Sequence, residues 1–133
     1  MADPLGNPAG PASLMLLIRI LSRLSFFALG AVIVYLSLKP SMALGTSDKM
    51  LHLLGYGVWT FASLIGIRRR PWALGVAAGI LLLSGLIELI QPHMGRVGDW
   101  GDFIANGLGV LLGGGLARAA RSLASWVFCT RTI

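Results

Sequence analysis

Residues 72–91 read WALGVAAGILLLSGLIELIQ, twenty positions with a single formal charge, at Glu88. A helix rises about 1.5 Å per residue, so this run reaches about 30 Å, the thickness of a bilayer's hydrocarbon core. Three further apolar runs flank it. One covers about 14–38 and carries Arg19 and Arg23 in its opening turns, where their stems can snorkel to the headgroups. Another covers about 50–67. The last covers about 102–117, with its lower boundary left open by Arg118. The pattern predicts an all-α integral membrane bundle of four transmembrane helices. Residues 1–13, rich in Pro, Gly and Ala, form a flexible tail, and residues 118–133 form a basic, amphipathic one.

Composition agrees. The chain has 133 residues, 56% hydrophobic and 12% charged, with a mean hydropathy of +0.80. So short a soluble domain leaves much of its surface in water, and so few charges would not cover it. A net charge of +6 raises nucleic acid as a partner, but the basic residues lie in short clusters between apolar runs, with no aromatic-basic surface on which bases could stack. Nucleic-acid binding is not expected; the bilayer is. The single cysteine, Cys129, excludes an intramolecular disulfide and reads as a small apolar side chain.

The loops set the orientation. Arg19, Arg23, Arg68, Arg69, Arg70, Arg118, Arg121 and Arg131 fall at one set of helix ends, and Lys39, Lys49 and Arg96 at the other. The positive-inside rule then predicts both termini in the cytoplasm. Asp48, Glu88, Asp99 and Asp102 all fall on the opposite face, so the two sides differ in kind. A cleaved signal peptide ending at Ser41-Met42-Ala43 is the competing reading of the first run; Tyr35, Lys39 and Pro40 argue for a retained helix. Arg68-Arg69-Arg70-Pro71 and the glycine-rich 92–101 segment predict tight turns and sequential antiparallel packing. Gly75 with Gly79, and Gly109 with Gly113, form two GxxxG patterns suited to close packing within one bundle.

The polar residues fall into three groups. Asp48, His52 and Tyr56 are spaced i, i+4, i+8 on one helix face. Asp48 also suits a simple helix start, beside Thr46 or Ser47 as caps. Glu88 and Gln91, with Ser84 one turn below Glu88, close the third span. A carboxylate there either anchors packing, with Arg96 or Lys49 as its partner, or serves proton transfer or cation binding. Asp99, Asp102 and Asn106 open the fourth span, Asp99 as N-cap, Asp102 in capping-box position and Asn106 bonding to another helix. Three helix ends joined by short turns bring Asp48, Lys49, His52, Tyr56, Glu88, Gln91, Arg96, Asp102 and Asn106 into one polar pocket on the extracytoplasmic side. Phosphate loops, zinc-protease helices and nucleophile elbows are missing; His52 with Glu88 or Asp102 could in principle ligate a metal, but no ligand spacing points to one, and no metal or other cofactor is expected.

Asp48-Lys49-Met50-Leu51-His52 followed by Tyr56, then Glu88-Leu89-Ile90-Gln91, then Arg96, Asp102, Asn106, Gly109 and Gly113, resemble in order the pattern of the VanZ-like family. The resemblance covers roughly Asp48 to Gly113, with Pro92-His93 standing where an aromatic residue is often found after the glutamine. It implies a multi-pass protein of the bacterial inner membrane, associated with the cell envelope, in a family whose name-giving member confers low-level resistance to the glycopeptide teicoplanin. Its matching positions here are Asp48, Lys49, His52, Glu88, Gln91, Arg96, Asp102 and Asn106. Three functions follow as expectations: binding of an envelope lipid or cell-wall precursor, hydrolysis or transfer on such a lipid with His52 and Glu88 as acid and base, or an accessory role in a larger respiratory or photosynthetic membrane complex.

Overall fold

The structure, a computed structural model, describes residues 11–39, 46–95 and 98–130. The described residues fold into helices joined by short turns, with no strand among them: α1 (Pro11–Leu38), α2 (Thr46–Leu64), α3 (Arg70–Ile90), a short 3₁₀ turn (Gln91–Met94) and α4 (Trp100–Thr130). Three of the helices are long and apolar enough to cross a membrane, over Ala12–Leu38, Arg70–Met94 and Trp100–Trp126. The 19-residue α2 differs from the clean span its length suggests. It is too polar to be counted with the other three, because Asp48, Lys49, His52, Thr60 and Ser63 all lie along it. Its position explains how that is tolerated. It packs on α4 along most of its length and on α1 along another face, so the two neighbours shield its polar face from lipid.

The interior and exterior are inverted relative to a water-soluble domain. Phe27, Leu82 and Leu111 are each more than 70% exposed. Meanwhile Ser22, Ser37, His52, Thr60, Ser63, Ser84, Gln91, Asp102 and Asn106 are buried. An apolar coat around a polar-bearing core is the arrangement that lipid solvates and water does not. This is a membrane protein.

The sequential neighbours α2 and α3 touch little; the dominant contact is between α2 and α4, which run parallel from the same end of the bundle. Glycine makes that possible. Gly109 faces the Leu53 carbonyl and the Gly57 amide, Gly113 faces the Gly57 carbonyl and the Phe61 amide, and a Cβ on either would collide with the α2 backbone. Gly57 returns the contact, lying against Gly109. The other GxxxG pair does not pack within the bundle. Gly75 and Gly79 have nothing within 4 Å of where a Cβ would stand, because they lie on the outward face of α3. Between α1 and α2, Gly30 leaves room for Trp59, whose indole Nε1–H donates to the Phe26 carbonyl at 2.9 Å. Tyr56, Trp59, Ile80 and Val110 form the apolar centre.

The fourth helix does not stop at 117. It continues through Arg118 and Arg121 to Thr130, since Ala117, Ala119 and Ala120 are strong helix formers and nothing there breaks the chain. The extension has a use: the Arg121 guanidinium donates to the Leu64 carbonyl at the C-terminal end of α2, adding a charged donor to the bond that carbonyl already accepts from the Ile67 amide. Arg121→Ala is therefore expected to cost about 1 kcal/mol of stability, and the exposed Arg118→Ala less than about 0.5 kcal/mol. Thermal unfolding in detergent measures both; equal effects would remove the capping role.

The ends of the bundle are fixed by contacts. At one end, the Gly66 amide donates to Ser22 Oγ and Arg68 reaches Met15. At the other, Gln91 Nε2 donates to the Ser37 carbonyl at 3.1 Å and Lys49 meets Asp99 and Asp102. Gly95, at φ 76°, adopts the left-handed conformation that stops the 3₁₀ turn. Ser41–Ala43 and Arg96 lie outside the described residues, as does the first part of the N-terminal tail.

Candidate functional site

Close approach of α2 and α4 sets the geometry of the polar end. His52 stands about one turn before Gly57 and Asn106 about one turn before Gly109, so the glycine contact carries these two side chains against each other. His52 Nδ1 and Asn106 Oδ1 are 3.0 Å apart, and Asn106 Nδ2 donates to Ser84 Oγ on α3 at 2.8 Å. The two bonds fix each other. With its amide nitrogen committed to Ser84, Asn106 presents its oxygen to the imidazole, so His52 Nδ1 carries the hydrogen and donates. All three side chains are buried, and one chain of hydrogen bonds links three helices.

The opposite edge of the imidazole faces acids. His52 Nε2 lies 3.8 Å from Asp48 Oδ1, one turn back on α2, and 3.8 Å from Asp102 Oδ2 on α4. Asp102 is 5% exposed and divides its oxygens, Oδ2 toward His52 and Oδ1 toward the Lys49 ammonium at 3.4 Å. Asp102 thus reaches across to α2 rather than closing a capping box. Asp99 does cap α4: its Oδ1 accepts from the Gly101 amide at 2.8 Å. Its other oxygen meets Lys49, forming an ion pair at the half-exposed rim.

Lys49 and Asp99 precede the apolar parts of their helices, and each stabilises the other's charge. The Lys49 ammonium, helped by the Gly101 amide, holds the Asp99 carboxyl below the usual carboxylate range. Asp99, against the opposing effect of desolvation and with help from Asp102, holds Lys49 above the usual lysine value. A depressed acid contributes stability above its unfolded pKa and loses it as pH falls through its folded value. A raised base contributes below its unfolded pKa and loses it as pH rises through its folded value. The pair is therefore closed throughout the neutral range and opens only at the extremes, and salt screens it because both partners face water.

Tyr56 is buried below His52, its ring nearly parallel to the imidazole with centroids 6.5 Å apart, and it neighbours Ser84 and Glu88. Both Glu88 carboxylate oxygens are shielded from solvent. Gln91 is fully buried but turns to α1, bonding Ser37 rather than the imidazole cluster. The structure thus brings together Asp48, Lys49, His52, Asp102 and Asn106 as one contacting group, places Tyr56 and Glu88 beside it, and separates Gln91. Ser84 and Asp99, not among the nine proposed pocket residues, belong to it. Ser84 could have been found from its place one turn below Glu88 on the same face. Ser37 carried no signal, because only its backbone carbonyl is used.

Asp48, His52 and Asp102 each offer a donor atom, all within 4.8 Å of one another, a set able to hold a cation. A separate groove of about 800 Å³ lies toward the arginine-rich end, walled by residues such as Leu74 and Leu111 and edged by Arg68, Arg70, Arg118 and Arg121. It shares no residue with the polar cluster. No protein-family model, curated protein or solved structure matches this chain.

Proposed function

We propose that this chain is a VanZ-like protein of the bacterial cell membrane, with both termini cytoplasmic, whose acidic end engages a polar or anionic group of an envelope lipid or cell-wall precursor. The observation that carries this reading is the burial of His52, Asp102 and Asn106 in mutual contact at one end of the bundle. Ionisable and amide side chains are costly in an apolar surrounding, and a cluster of them at a helix-end mouth is where a membrane protein meets a polar ligand. Lys49 at the rim supplies a cation that faces water and reaches both Asp99 and the buried Asp102. The ordered resemblance from Asp48 to Gly113 and the segregation of arginines to the other end support the same reading.

Expression in a teicoplanin-susceptible bacterium is expected to raise the inhibitory concentration. His52→Ala and Glu88→Gln should each abolish that rise while the protein still accumulates in the membrane at wild-type level. Unchanged resistance in both variants would contradict the proposal. A second reading, an accessory subunit of a larger membrane complex, draws on the outward Gly75 and Gly79 of α3, a surface a neighbouring helix could approach closely. Native mass spectrometry after mild-detergent purification separates the two: a stoichiometric second protein favours the subunit, and bound anionic lipid alone favours the envelope role.

A further inference from the structure

We propose that Asp48, His52 and Asp102 form the binding site of one divalent transition-metal ion, with Zn²⁺ the best match to its donors. The site stands on these side chains alone and does not depend on what the mouth binds. Sequence spacing gives no hint of it, since two ligands come from α2 and the third from α4, in a register that only the Gly57–Gly109–Gly113 contact sets.

Two independent features point to an ion. The first is distance. Both carboxylate oxygens stand 3.8 Å from His52 Nε2. A charged hydrogen bond from a protonated imidazole would draw an oxygen to about 2.8 Å, and neither has closed to that length. Around a tetrahedral Zn²⁺ with bonds of about 2.0–2.2 Å, neighbouring donors sit about 3.4 Å apart. The two imidazole–carboxylate separations reach that value with shifts of about 0.4 Å, and the two carboxylate oxygens, which lie within 4.8 Å of each other, close the rest of the way by aspartate rotation.

The second is the state of the imidazole. The His52 side chain is more than nine-tenths buried. Its Nδ1–H is committed to Asn106, and Asn106 is held in turn by Ser84. In the neutral ring that bond turns the Nε2 lone pair between two carboxylates, where a bound cation would be held by all three side chains. Metal-bound histidines donate their other N–H to a fixed oxygen in this way, which sets the tautomer and the ring orientation. Lys49 plays the corresponding part for Asp102, holding Oδ1 so that Oδ2 turns to the imidazole. One nitrogen and two oxygens suit zinc over the harder magnesium and calcium ions, which prefer all-oxygen shells. Three protein ligands leave a fourth position for water or for an oxygen of an incoming group.

The test uses the full chain, purified in mild detergent, stripped with a chelator and titrated with Zn²⁺ alone. Wild type is expected to take up about one ion per chain with a Kd below about 1 μM, and to unfold at a higher temperature when loaded. Asp48→Asn, on the more exposed ligand, should fold normally and bind at least about tenfold more weakly, and Asn106→Ala should lose affinity by a similar factor through the freed imidazole. His93→Gln, on the exposed 3₁₀ turn, should bind as wild type does. X-ray absorption at the zinc edge should give a shell of nitrogen and oxygen without sulfur. Absence of saturable binding, undiminished affinity in Asp48→Asn, loss of binding in His93→Gln, or sulfur in the shell would each overturn the proposal.

Discussion

Gly113→Leu is expected to destabilise the protein by about 3 kcal/mol or to prevent its accumulation, because the new side chain has no space to occupy. Its Cβ alone would run into the Gly57 carbonyl, which is helix backbone and cannot rotate aside. The only relief is to move α2 and α4 apart along the largest contact in the bundle. That separation would also open the His52–Asn106 and Lys49–Asp102 contacts, which lie on the same seam. Gly75→Leu is the matched control. It has the same helix context but open space beyond its Cβ, so it should change stability by less than about 0.5 kcal/mol. Thermal unfolding of the two variants in one detergent gives the comparison, and similar losses would mean that the glycine seam does not hold the bundle.

Asn106→Leu is expected to cost about 2–3 kcal/mol, more than most single interhelical hydrogen bonds in membranes contribute. The change leaves two buried groups without their partner, the His52 Nδ1–H and the Ser84 hydroxyl, where water is excluded. Ser84→Ala removes one bond and leaves the His52 bond in place, so about 1 kcal/mol is expected. If the three side chains form one network, the loss in the double variant should fall short of the sum of the single losses by more than about 0.5 kcal/mol. Simple additivity would mean that Asn106 and Ser84 act separately.

These two variants mark the boundary of what the sequence discloses. Hydrophobic run length discloses that a helix exists, because the bilayer imposes a fixed span, and α1, α3 and α4 emerge from it directly. It says less about α2, whose polar residues are sheltered by neighbours rather than by its own composition. It also says little about pairing. Short loops suggest that sequential helices pack together, yet the glycines of α2 and α4 give a closer fit than α2 and α3 can, and closeness decides association where lipid supplies no hydrophobic drive. Both GxxxG patterns look alike in sequence; only the rotation of each helix settles that Gly109 and Gly113 face inward while Gly75 and Gly79 face out. Helical periodicity placed Asp48, His52 and Tyr56 on one face because that relation is local. The imidazole's bond to Asn106, the division of Asp102 between two helices and the turn of Gln91 toward Ser37 are relations across helices, which no spacing along the chain encodes.

At the polar end α2 and α4 meet so closely that His52 is locked between Asn106 and two carboxylates. Solid-state NMR on protein labelled at histidine and asparagine in lipid bilayers reads this directly, with His93→Gln removing the only other imidazole. A through-space correlation between the His52 ring and the Asn106 carboxamide, together with an Nδ1-protonated ring whose Nε2 carries no hydrogen, is the expected spectrum. A His52 ring with no contact to Asn106, exchanging freely with water between tautomers, would contradict it.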